Sequence, residues 1–83
     1  MKVQLRYFAS IREAVNLGQE TLDTQATTVA ELRDELIARG GGYADALARG
    51  KAVRVALNQT MTVESAALVS PAEVAFFPPV TGG

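Results

Sequence analysis

Two stretches of alternating residues bracket one capped amphipathic segment, and that pattern leaves few folds open to a chain of 83 residues. Near the start, Val3, Leu5 and Tyr7 point one way while Lys2, Gln4, Arg6 and Phe8 point the other. A period of two marks a strand with one buried face. Val53, Val55 and Leu57 repeat the pattern against Arg54, Ala56 and Asn58. Between the two, Val29, Leu32, Leu36 and Ile37 fall near helical spacing and form one apolar stripe. Thr28 stands where a helix needs a cap, and Glu31, three residues on, can reach back to complete a capping box. Gly40, Gly41 and Gly42 are expected to stop this helix, since glycine tolerates the left-handed backbone a helix end needs. One-sided strands and a one-sided helix bury their apolar faces against each other. The expectation is therefore an α+β domain, a mixed sheet packed on one main helix.

The remaining segments fit around that frame. Ser10 and Glu13 suggest a second capping box for a short helix, Ile11 to Asn16, ended by Gly18. Gln19 to Thr24 reads as an edge strand, and Tyr43 to Arg49 as another short helix. Asn58-Gln59 is a turn, Met61 and Val63 belong to a short strand, and Ser70-Pro71-Ala72 is a second turn. Val74 to Phe77 is the last strand, closed by Pro78-Pro79 because neither proline can donate to a ladder. This divides the chain into a domain over residues 1–79 and a tail over 80–83.

The absences narrow the function. Without Cys or His the chain has no thiol nucleophile, disulfide, imidazole proton shuttle or common metal ligand. Glu31, Asp34 and Glu35 lie on the main helix and read as a solvated face. A net charge of -1 provides no basic face for nucleic acid, and no apolar run is long enough for a membrane span. A cytoplasmic protein with no bound cofactor or metal is expected, whose chemistry uses the backbone, a terminus or a partner's residues.

The tail Val80-Thr81-Gly82-Gly83 is the remaining candidate. Gly-Gly alone is weak, since roughly one chain in two hundred would end so by chance. Its context is stronger. Pro78-Pro79 favours a stiff, extended exit, so the tail should project, and glycines can pass through a narrow tunnel. A carboxylate on Gly83 can be activated as an acyl-adenylate from ATP. A sulfur nucleophile can then displace AMP to leave a thiocarboxylate, with no catalytic side chain on this chain. Strand parity also places Phe8 and Phe77 on the outer face, where Met61 could join them as an apolar patch for a partner. Arg6 and Arg54 share that parity and read first as solvated charges.

The ending Phe76-Phe77-Pro78-Pro79-Val80-Thr81-Gly82-Gly83 resembles that of the small, sulfur-carrier subunits of molybdopterin synthase. The resemblance extends through Val3 to Glu13, Thr28-Val29, Ala56-Leu57-Asn58-Gln59 and Glu73-Val74-Ala75. It implies a ubiquitin-like β-grasp fold and a part in molybdenum-cofactor biosynthesis. An E1-like activating enzyme, using ATP, would adenylate Gly83, which then becomes a thiocarboxylate. The tail, with Pro78, Pro79, Val80, Thr81 and Gly82, would enter the large catalytic subunit and deliver sulfur to cyclic pyranopterin monophosphate. The usual assembly would be two small and two large subunits. Phe8, Met61 and Phe77 fall where such a family has its outer contact surface. Ser70-Pro71-Ala72-Glu73 departs from a Gly-Asp turn common at that place. The carrier that supplies sulfur for thiamine, a ubiquitin-like modifier joined to lysines, and an interaction module with an idle tail remain as rivals.

Overall fold

A computed structural model describes residues 1–79. Its elements in chain order are β1 (Lys2–Tyr7), α1 (Ala9–Val15), β2 (Gln19–Asp23), α2 (Val29–Ile37), α3 (Gly41–Leu47), β3 (Arg54–Leu57), β4 (Thr60–Thr62) and β5 (Ala72–Phe77). The strands make one mixed sheet in the order β2-β1-β5-β3-β4. The first and last strands lie side by side in parallel at its centre, and the other neighbours are antiparallel. This is the β-grasp arrangement. Val3, Leu5 and Tyr7 from β1, with Val74 and Phe76 from β5, meet Val29, Leu32 and Leu36 of α2 in one buried core. The period-two reading of β1 and the edge position of β2 both hold.

The helix ends depart from expectation in instructive ways. Ser10 does not cap α1: the helix begins at Ala9 behind Phe8, whose side chain makes no cap hydrogen bond. The freed amides of Ile11 and Arg12 donate to the Phe8 carbonyl instead, at 3.1 and 3.3 Å. Asn16, at φ 65°, rather than Gly18, takes the left-handed turn out. In α2, Thr28 Oγ1 accepts from the Glu31 amide at 3.2 Å, as a cap should. The Glu31 carboxylate, however, overshoots the cap residue and accepts from the Thr27 amide and hydroxyl at 2.7 and 2.8 Å. Those bonds hold it below the usual carboxylate range. Of the three glycines, only Gly40 serves the exit from α2, at φ 76°. Gly41 and Gly42 open α3, which starts two residues before the expected Tyr43 and ends at Leu47. Gly42 is needed for contact: a β-carbon there would collide with the Ala14 carbonyl of α1.

Two polar clusters tie the helices and loops together. Arg33 on α2 is buried, at 3% exposure, yet fully partnered. Its Nε donates to the Leu47 carbonyl at 2.8 Å, its terminal nitrogens to the Ala48 and Lys51 carbonyls at 2.8 and 3.0 Å, and to Glu64 at 2.7 Å. Arg49 also pairs with Glu64 and reaches Asp34 at 2.7 Å. Burial pushes the Glu64 carboxyl up, but the Arg49 hydrogen bond and the Arg33 charge outweigh it and hold the group below its ordinary range. At the other end, Glu20 accepts from Tyr7 at 2.9 Å, from Tyr43 at 2.6 Å and from Arg39 at 2.9 Å. Burial raises Glu20 too, and these three donors reverse the sign. Burial and the Glu20 carboxylate together push the Tyr7 phenol far above its ordinary value.

Candidate functional site: the outer sheet face at the root of the tail

Phe77 is the last residue of β5, and Pro78-Pro79 follow directly, so the tail leaves from the strand at the centre of the sheet. The parallel pairing of β1 with β5 brings the ends of both strands to the same edge, with Tyr7 opposite Phe76. The Phe8 amide continues that ladder by donating to the Phe76 carbonyl at 3.1 Å. Phe8 is thereby carried beside Phe77. Their rings meet edge to face, centroids 6.1 Å apart at 85°, the geometry that sets a positive ring edge against a negative face. Phe8 is 41% exposed in spite of this contact, a large apolar surface left to water. Parity therefore places both rings on the outer face, with Phe8 exposed and Phe77 half-buried.

Met61 lies on the same face but not against them. It is opposite Ala56 on β3, which is opposite Ala75 on β5, which is opposite Arg6 on β1. Two strand spacings, roughly 10 Å, separate Met61 from β5. Ala56 and Ala75 form the floor between them. Their small side chains stand between Met61 on one side and the Phe8–Phe77 pair on the other. Alternation alone did not single out these alanines, because alanine is too small to register as an apolar anchor.

Charge flanks the phenylalanine pair. Arg54 is opposite Phe77 across the β3–β5 ladder. The Arg6 guanidinium sits 5.6 Å from the centre of the Phe8 ring, a cation–π distance. Pro78 is half-buried and lines a cleft of about 240 Å³ with Ser10, Ile11, Asp45 and Lys51. Val80, Thr81, Gly82 and Gly83, the other residues expected to meet a partner, lie outside the described residues. Among the described residues no helix is long and apolar enough to cross a membrane.

The ThiS family model matches residues 5–83, nearly the full chain. The chain belongs to the ThiS family. Two curated members extend the match. The molybdopterin synthase sulfur carrier subunit of Haemophilus influenzae is 39% identical over 77 residues, covering 93% of this chain and 94% of that one. The subunit of the same name from Escherichia coli is 38% identical over 81 residues, covering 98% and 99%. Among solved structures, a chain of the complex of subunits 1 and 2 of the molybdopterin-converting factor from Helicobacter pylori superposes with a TM-score of 0.68. It is 26% identical, with both chains fully covered. SAMP1 of Haloferax volcanii, a small archaeal modifier protein, superposes at 0.75 with 25% identity and full coverage of both chains. In this chain the fold presents, beside Pro78-Pro79, an apolar face with cationic edges.

Proposed function

We propose that this chain is the sulfur carrier subunit of molybdopterin synthase and that Gly83 carries the sulfur. The observation that carries the reading is the match of nearly the whole chain, at 38–39% identity, to two proteins of that name. The Phe8–Phe77 pair at the root of the tail supports it, because a carrier needs a surface that a partner grips while the terminus reaches inward. The Gly83 carboxylate attacks the α-phosphorus of ATP on an E1-like activating enzyme and releases pyrophosphate. A sulfur nucleophile then displaces AMP and leaves a thiocarboxylate. With Phe8, Met61, Phe77 and Pro78 to Gly82 held by the large subunit, that sulfur passes to cyclic pyranopterin monophosphate. The carrier binds no cofactor and supplies no catalytic side chain, and the reaction belongs to the cytoplasm.

A second reading, a ubiquitin-like modifier, is favoured by the superposition on the archaeal modifier protein. One experiment separates the two. The full chain is incubated with ATP, its activating enzyme and a sulfur donor, and its intact mass is read. Exchange of one oxygen for sulfur at Gly83, followed by molybdopterin formation with the large subunit, is the expected result. An unchanged mass beside isopeptide conjugates in the native lysate refutes the carrier and supports the modifier.

A further inference from the structure

We infer that a carboxylate of the partner protein seats in a cleft between Arg6 and Arg12, beside Phe8, and supplies the electrostatic half of the grip on this face. The inference deepens the proposed function and rests on it. A cleft of about 350 Å³ opens next to the phenylalanine pair, lined by Arg6, Tyr7, Phe8, Arg12, Gly18 and Gln19. Two guanidinium groups come to it from different elements, Arg6 from the outer face of β1 and Arg12 from α1. The arrangement at Gly18 is specific: a β-carbon there would lie 3.2 Å from Arg12 Nε, so the missing side chain gives the guanidinium room to lie against the turn.

Among the described residues Arg6, Arg12, Arg54, Lys2 and Lys51 have no internal counter-charge, and of these only Arg6 and Arg12 line the cleft beside Phe8. Glu20, Asp23, Asp34 and Glu64 are all engaged in ion pairs with other cations. Neither Arg6 nor Arg12 has a carboxylate within ion-pair distance among the described residues. Nor does Arg54, on the far side of Phe77. A chain with net charge -1 thus keeps three exposed cations around the Phe8–Phe77 pair, of which Phe8 is exposed and Phe77 half-buried. Such a surface fits a partner face that is apolar at its centre and acidic at its rim. Arginine is suited to this because its planar fork donates two parallel N–H···O bonds to a carboxylate. The cleft is continuous with Phe8, so a partner that covers the ring brings its carboxylate out of water and strengthens the pairing.

The test uses the full chain and the large molybdopterin synthase subunit from the same genome, with affinity measured by calorimetry across a salt series. Both arginines are exposed, so the double variant R6Q/R12Q should fold, and its melting temperature checks this. At low ionic strength its dissociation constant should rise at least tenfold, with the gap from wild type closing as salt screens the pairs. The R6K/R12K variant should recover the salt dependence but only part of the affinity, since ammonium groups keep charge without the fork. An R6Q/R12Q affinity within twofold of wild type, or a loss independent of salt, overturns the inference while leaving the carrier reading intact. Failure of the wild-type chain to bind the large subunit at all overturns both.

Discussion

Replacing Arg33 with methionine keeps the aliphatic stem packed on α2 and removes every hydrogen bond the guanidinium makes. Three carbonyls and one carboxylate lose a donor. Leu47 is fully buried, so its carbonyl cannot be rehydrated and costs about 2 kcal/mol. Ala48 is half-buried and Lys51 exposed, so water can reach their carbonyls and each costs about 0.5–1 kcal/mol. Glu64 keeps Arg49 as a partner and adds little. Against this stands relief from burying a charge, which cancels part of the loss. The net is about 2–4 kcal/mol, which for a domain of this size lowers the melting temperature by about 10–25 °C. Differential scanning calorimetry with a urea titration measures it. Glu64→Gln is the companion: Glu64 is 31% exposed, and its loss should cost under about 1 kcal/mol. A fall below about 4 °C for Arg33→Met, or equal falls for the two variants, would refute the view that the buried carbonyls, rather than the ion pair, make Arg33 matter.

Gly42→Ala should cost at least about 2 kcal/mol because the new methyl meets the Ala14 backbone, which cannot swing aside. Gly50→Ala, with open space around it, should be close to neutral, and paired thermal melts decide. Phe8→Ala and Phe77→Ala should each weaken binding to the large subunit by about 2 kcal/mol, roughly thirtyfold, with a smaller effect on stability, as calorimetry and melting curves would show. Glu20 and Glu64 are both held below their unfolded value of about 4.3. Their stabilisation is therefore present above that pH and is lost as pH falls through the lower folded values. Melts from pH 6 down to pH 2 should show a drop that flattens in the Glu20→Gln, Glu64→Gln double variant.

Most of the frame was legible because its signals are local. Val3, Leu5 and Tyr7 announce β1 through period alone, Thr28 caps α2 through a bond three residues away, and Asn58-Gln59 turn the chain with positive φ at both positions. The failures share a cause: they depend on partners distant in sequence. Ser10 has the right chemistry for a cap, but the β1–β5 ladder extends to Phe8 and starts α1 at Ala9. Gly42 looks like part of a stop until α1 presses on it. Arg33 resembles any solvated helix charge, and only the carbonyls at the end of α3 turn it inward. At the site, parity found Phe8 and Phe77, but the alanine floor that separates Met61 from them follows from strand order, which no single segment contains.

That strand order also bears on how the molecule takes force. The strand leading to the terminus is not at the edge of the sheet but in its middle, hydrogen-bonded to β1 on one side and β3 on the other. A pull applied beyond Pro79 would load both ladders in shear, so many bonds would have to give together. An edge strand in the same place would peel away one bond at a time. A partner can therefore draw on the last residues, and release them, with the domain behind acting as a firm handle.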